Sequence, residues 1–267
     1  MEERMAAEPK TIFVTGAASG IGRATAQLFA ERGWFVGLYD VNREALAATE
    51  ELVPAHLRVS GGFDVRDADA WRGAVAQFGQ ATRGQMHALF NNAGVARHGS
   101  FEDIAEADSG LTVDVNLKGV INGIYAALPL LKQTPGARII NTASAASIYG
   151  TPGLAVYSAT KFAVRGLTEA LDVELSRYDI KAICLMPWFI DTPLLDVNTS
   201  GSNRRMRDAY LDQKVYSATE AAEAVWKAAH GDDLYVTVGK EVNEARFAAR
   251  FFPGALRARL KRMFANR

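Results

Sequence analysis

One cysteine in 267 residues means that no internal disulfide can cross-link this chain. That excludes the disulfide-stapled class of small secreted domains and fits a reducing, cytoplasmic setting. Cys184 lies in the apolar run Ile183-Cys184-Leu185-Met186 with no base beside it, and reads as a core residue rather than a nucleophile. Long apolar runs are missing as well. Nothing approaches about 18 consecutive apolar residues, so no membrane-spanning helix is expected. Nor does charge of one sign dominate, since Lys plus Arg and Asp plus Glu both number 30. A balanced chain has no overall field to recruit nucleic acid, so a ligand has to be held by local features. The first ten residues mix Glu2, Glu3 and Glu8 with Arg4 and Lys10, unlike a secretory or organelle leader. Internal repeats, low-complexity stretches and a metal site are not expected either.

What is present is a rhythm. Short apolar runs at 11–14, 34–39, 57–63, 87–90, 138–142 and 181–186 alternate with amphipathic stretches at 21–32, 43–52, 68–81, 111–131 and 155–178. Asn42 is placed to cap the second of those stretches. Near-continuous apolar strands alternating with helices imply a parallel sheet covered on both faces. Right-handed crossovers then give an α/β fold, a Rossmann-like doubly wound sheet of seven strands, the last at 234–238. The whole chain, 1–267, reads as one domain. After Pro187 the rhythm breaks, and the polar stretch 193–214 reads as a mobile lid, followed by a helix at 221–230.

Between the first strand and the first helix lies Thr15-Gly16-Ala17-Ala18-Ser19-Gly20-Ile21-Gly22. Glycines there let the backbone approach a pyrophosphate, and the helix N-terminus offers free N–H groups and a positive dipole end. Asp40 closes the second strand, 20 residues beyond Gly20, where a carboxylate can accept hydrogen bonds from an adenosine ribose and repel a 2′-phosphate. NAD is therefore preferred, although Arg23 and Arg43 nearby soften the preference toward NADP. A plain turn or cap role for Asp40 is the alternative. In the fifth helix, Tyr157 and Lys161 stand at i and i+4 on one face. Such a pair is common on solvated surfaces, but here Ser144 precedes it by 13 residues and Asn116 lies in the helix before that.

With these elements the sequence resembles the short-chain dehydrogenase/reductase family over about residues 10–193. The resemblance rests on Thr15-Gly16-x3-Gly20-Ile21-Gly22, Asp64-Val65, Asn91-Asn92-Ala93-Gly94, Asn116, Ser144, Tyr157-x3-Lys161 and Pro187-x4-Thr192. It implies a catalytic set of Asn116, Ser144, Tyr157 and Lys161. Tyr157 would be the acid or base on the substrate oxygen, helped by Lys161, because a free phenol near pH 10 is too weak an acid at neutrality. Ser144 would donate to the developing oxyanion, and Asn116 would hold a water joining Lys161 to solvent. It also implies a cofactor site of Gly16, Ser19, Gly20, Ile21, Gly22, Asp40, Asp64, Val65, Asn91, Ala93, Gly94, Tyr157, Lys161, Pro187, Ile190 and Thr192. A homodimer or homotetramer built on the two long helices is implied too. Where the family has Pro-Gly, this chain has Pro187-Trp188, so Trp188 and Phe189 either wall the substrate pocket or pack in the core.

The remaining pocket candidates, Ala146, Ile148, Tyr149, Leu154, Leu194 and Leu195, are largely apolar and bring no Arg for a carboxylate. A hydrophobic secondary alcohol or ketone fits them, which makes the chain an alcohol dehydrogenase or ketone reductase. His98 is expected at the surface. Two other activities are disfavoured. Epimerases or dehydratases of this family carry a longer substrate domain, and a non-catalytic NAD-binding regulator would show a broken Ser-Tyr-Lys set. The tail, 245–267, interleaves Arg246, Arg250, Arg257, Arg259, Lys261, Arg262 and Arg267 with Phe251, Phe252, Leu256, Leu260, Met263 and Phe264. A basic amphipathic helix of this kind lies on an anionic membrane surface or, the plainer reading, packs on a neighbouring subunit.

Overall fold

Side chains alternate across the strands, and here both faces are apolar. In β1 (Thr11–Thr15), Ile12 and Val14 enter one layer and Phe13 the other. The same split recurs in β6 (Lys181–Pro187), with Ile183 and Leu185 on one side and Ala182, Cys184 and Met186 on the other. Each strand must therefore be covered twice. The computed structural model describes residues 8–265; most of the charged N-terminal stretch and Arg267 lie outside them.

The chain runs from β1 through α1 (Gly20–Glu31), β2 (Phe35–Asp40), α2 (Arg43–Glu50), β3 (Arg58–Gly62), α3 (Ala68–Ala81) and β4 (Ala88–Asn91). There follow α4 (Glu106–Val113), α5 (Gly119–Gln133), β5 (Arg138–Thr142), α6 (Ala155–Leu175) and β6. The remainder comprises β7 (Phe189–Ile190), α7 (Met206–Ala209), β8 (Val215–Tyr216), α8 (Ala218–His230), β9 (Tyr235–Val238), α9 (Lys240–Phe251) and α10 (Pro253–Ala265). Seven strands form one parallel sheet in the order β3-β2-β1-β4-β5-β6-β9, while β7 and β8 pair separately. One layer packs Phe29 of α1 and Val225 of α8 against the sheet. The other packs Trp71 and Phe78 of α3, Ile124 and Leu131 of α5 and Val164 of α6. Phe13 stacks there on Tyr39, with ring centroids 4.3 Å apart.

The order reverses at β1, which pairs with β2 on one side and β4 on the other. Chains leaving β1 and β4 diverge to opposite faces, and the crevice beyond their C-terminal ends is where such sheets bind ligands.

Three expectations need correction. The helix expected over 111–131 begins at Glu106 and is interrupted by a π-helical turn at Asp114–Lys118. The wider turn lets the Asn116 side chain reach the Val95 backbone, a tertiary demand that periodicity does not reveal. The last expected helix starts at Ala218 rather than residue 221, because Ser217 and Glu220 form a reciprocal capping box. The third concerns His98, which meets the stretch 193–214 expected as a lid. That stretch holds a short 3₁₀ turn at Pro193–Asp196, α7, and a bridge between Thr199 and His98. That bridge buries His98, expected at the surface, to 5% exposure, with Nδ1 2.9 Å from the Thr199 hydroxyl and its ring against Tyr210. No helix among the described residues is long and apolar enough to cross a membrane.

Candidate active site

Two cavities open at the C-terminal edge of the sheet. The first, about 530 Å³, lies in the crevice between β1 and β4. Its floor is the Gly-rich turn, where Gly16 and Gly20 take positive φ of 68° and 52°. A Cβ on Gly16 would sit 2.8 Å from the Asn92 amide, and one on Gly20 would meet Thr192 at the same distance. Only glycine fits either conformation and leaves the backbone accessible. Asn92 donates to the Thr15 carbonyl at 3.0 Å, and Thr15 Oγ1 accepts from the backbone N–H groups of Asn92 and Ala93. These bonds tie the turn to the end of β4.

The turn delivers its positive end to the crevice. α1 carries no acidic residue in its first turn, whereas α2, α3 and α8 each do. Ser19 is exposed and makes no cap bond to its own helix, so its hydroxyl is available to a ligand. An uncompensated helix N-terminus with free donors is an anion site. Asp40 borders the same cavity; one carboxylate oxygen accepts from Ala18 N–H at 3.0 Å and the other from Asn42 N–H at 2.9 Å. Each oxygen retains a second lone pair for a ligand hydroxyl. Asp64 and Val65 line the far end, where the Arg66 guanidinium bonds to the Asp64 carboxylate and holds it below the usual carboxylate range.

The second cavity, about 230 Å³, is apolar. All eight residues expected to wall it do so: Ala146, Ile148, Tyr149, Leu154, Trp188, Phe189, Leu194 and Leu195. Trp188 also packs against both core layers. Ser144, Tyr157 and Thr192 border this cavity, and Tyr157 and Thr192 border the first one too. The phenol thus stands where the two spaces meet.

Around Tyr157 the chain arranges its polar groups by register. Lys161 lies one turn further along α6 and is only 4% exposed; its ammonium donates to the Thr142 carbonyl at 2.7 Å, at the end of β5. That nitrogen is 5.5 Å from the centre of the Tyr157 ring. Burial pushes the Lys161 ammonium down to about 8. Burial likewise raises the half-buried phenol above its ordinary value, and a hydrogen bond from Ser144 pulls it part of the way back. The Cys184 thiol, pushed up to about 12 by burial, is a core group as expected.

Several expected site residues lie elsewhere. Gly22 borders neither cavity; a Cβ there would lie 2.1 Å from the Gly16 carbonyl, so it lets α1 pack under the turn. Asn91 points away from the crevice into the helical layer and donates to Asn141 Oδ1 at 2.8 Å. Pro187 and Ile190 wall the apolar cavity instead of the first one. Asn116 is fully buried. Its side chain bonds to Val95 N–H, Val95 C=O and Thr160 Oγ1, which spends three of its four hydrogen-bonding positions.

Other wall residues escaped sequence reading. Met206 and Tyr210 come from the segment after β7, and Ala245, Leu256 and Leu260 come from the tail. Both readings of the tail placed its apolar face on something outside the chain. In the structure Leu256 and Leu260 of that face meet the chain's own pocket, while Phe251 and Phe252 stay exposed.

The sequence matches the family model for short chain dehydrogenase over residues 10–203. The chain belongs to the short-chain dehydrogenase family. This short-chain dehydrogenase is a nicotinamide-dependent oxidoreductase with the family's Rossmann-like sheet. It is similar to the 3-oxoacyl-(acyl-carrier-protein) reductase FabG of Thermotoga maritima, 32% identical over 242 residues, 87% of this chain and 95% of that one. A short-chain dehydrogenase/reductase from Burkholderia phymatum, solved in complex with NAD, is 28% identical. It superposes with a TM-score of 0.82 over 91% of this chain and 93% of its own. One from Burkholderia cenocepacia, in complex with NADP, is 26% identical with a TM-score of 0.80, covering 96% and 99%.

The buried ammonium carries a pH signature in the cofactor-free protein. Between about 8 and the ordinary 10.5, the unfolded chain keeps a proton on Lys161 that the folded chain has released. Folding stability at this residue therefore rises with pH across that window. Urea unfolding at pH 7.5 and 9.5 should show a gain of about 1–2 kcal/mol that is absent in Lys161→Met. Parallel behaviour of the two proteins would mean that Lys161 is not titrated from a buried state.

Proposed function

We propose that the chain transfers a hydride between NAD and a hydrophobic secondary alcohol or ketone, as an alcohol dehydrogenase or ketone reductase. The observation that carries this reading is the meeting of a polar cleft and an apolar pocket at Tyr157. The cleft suits a dinucleotide: glycine turns that a Cβ would fill, an uncompensated helix N-terminus for the pyrophosphate and Asp40 for a ribose. When bound, the nicotinamide ring is the carrier that accepts or gives the hydride.

The chain's own groups handle the proton. In alcohol oxidation the hydroxyl proton passes to the Tyr157 phenolate as the carbon loses its hydride; in ketone reduction the phenol returns that proton to the oxygen. Lys161, one helical turn away and cationic below about 8, favours the phenolate. Ser144 donates to the substrate oxygen as charge builds there. The Asn116 side chain is largely spent on Val95 and Thr160, so a water linking Lys161 to solvent would rest on the remaining amide position or on the backbone carbonyl of the π turn. Leu154, Trp188, Phe189 and Leu195 exclude water and favour an apolar substrate. Tyr125 of α5 and Val173 of α6, 77% and 74% exposed, support pairing of the two long helices with a second copy.

Asp40 supports NAD over NADP. Neither Arg23 nor Arg43 borders the cleft. Arg43 pairs with Glu50, and Arg23 bonds to Thr49 Oγ1. The cleft-lining Arg66 and Arg97 are engaged by Asp64 and Asp108.

Two variants test this reading. Tyr157→Phe should bind NADH with unchanged affinity and lose turnover of apolar secondary alcohols by about 100-fold or more, the scale of a lost general acid–base; full activity would overturn the mechanism. Asp40→Ala should narrow the ratio of kcat/KM for NAD over NADP by about tenfold, as expected for removing one close charge. An unchanged ratio would mean that Asp40 does not read the ribose.

A further inference from the structure

α9 ends at Phe251, Phe252 leaves the helical conformation, and Pro253, which cannot continue a helical hydrogen-bond ladder, opens α10. The Leu256 N–H bonds to the Phe252 carbonyl at 3.0 Å and fixes the corner. Within α10, Leu256 and Leu260 stand one turn apart on the same face. Both are half-buried, while Ala255, Arg257, Ala258, Arg259, Lys261 and Arg262 are exposed. Both border the apolar cavity that contains Ser144 and Tyr157, together with Ala245 of α9. Leu256 and Leu260 therefore face the pocket, while Arg257, Arg259, Lys261 and Arg262 face solvent.

Leu154, Leu195, Met206 and Tyr210 are all buried and form a cluster of their own. Leu256 and Leu260 belong to a helix whose neighbouring side chains, 253–255, 257–259, 261 and 262, are all exposed, so these two leucines form the solvent-side wall and mouth of the pocket. A substrate with a longer apolar body extends to the mouth and removes further leucine surface from water.

We infer that Leu256 and Leu260 are specificity-determining residues, a lipophilic outer wall that selects alcohols and ketones with an extended apolar body. The inference rests on the reaction proposed above and names the substrate class more narrowly. It gives the tail an occupation within its own chain.

The test compares a long ketone, 2-decanone, with a short one, 2-pentanone, bound to the NADH-loaded full-length chain. Binding is read by calorimetry and turnover by NADH absorbance. Leu256→Asn and Leu260→Asn replace an apolar tip by a polar one of similar size on a partly exposed helix, so folding is spared; unchanged NADH affinity checks this. Each variant should weaken 2-decanone binding by about tenfold, the scale of lost methylene contacts in an apolar pocket. Binding of 2-pentanone should change less than twofold, and the loss for 2-decanone should appear in KM with kcat unchanged. Equal losses for both ketones, no loss for either, or no binding of 2-decanone by the unaltered chain would overturn the inference. Selective binding of 2-decanone without turnover would keep the wall and remove the proposed reaction.

Discussion

The Lys161 ammonium, buried on the carbonyl oxygen of Thr142, is the contact around which the site is organised. A primary ammonium in a dry interior is costly unless it is hydrogen-bonded, and a strand-end carbonyl supplies the partner. That bond pins α6 to the end of β5. It fixes Tyr157, one turn earlier, at the junction of the two cavities, and it fixes Ser144, two residues beyond Thr142, beside the phenol. Displacing α6 along the sheet would separate all three groups at once. The depressed affinity of Lys161 for its proton follows from the same burial. On the proposed reading, the group that makes the phenol reactive is held near its own titration point.

Around this centre the fold divides its labour. The sheet reverses order at β1, and the crevice there receives a glycine turn secured by Asn92 and Thr15. The opposite side of Tyr157 is walled by residues that follow β5 and β6 and, from far along the chain, by α10. One side is polar with an unopposed helix N-terminus, and the other is apolar. That division matches the chemistry proposed for each: a doubly charged pyrophosphate on one side and a carbon skeleton on the other.

The alternating strands and the Gly-rich turn were legible because they depend on local periodicity and on one residue type with a unique conformational range. Tyr157 and Lys161 were legible as a pair because four residues make one helical turn. What escaped reading depends on where a side chain points after folding. Asn91 and Asn92 are adjacent, yet a strand sends them to opposite sides. Asn92 secures the glycine turn and Asn91 braces α5, where a Cβ on Gly123 would come within 2.6 Å of its Oδ1. His98 looked like a surface residue because its partner, Thr199, lies 101 positions away. Leu256 and Leu260 belong to a stripe whose amphipathic pattern was plain, but a stripe does not announce which surface it covers. The corner at Phe252 and Pro253 decides that.

The central claim is that Lys161 sets the reactivity of Tyr157. It is tested most directly by the pH profile of kcat/KM for oxidation of an apolar secondary alcohol at saturating NAD. Burial alone holds the phenol above its ordinary value; with NAD bound, the account predicts a rising limb whose apparent pKa is displaced upward by about one unit or more in Lys161→Met. An identical apparent pKa in the two proteins would contradict it, because the phenol would then owe nothing to the buried ammonium beside it.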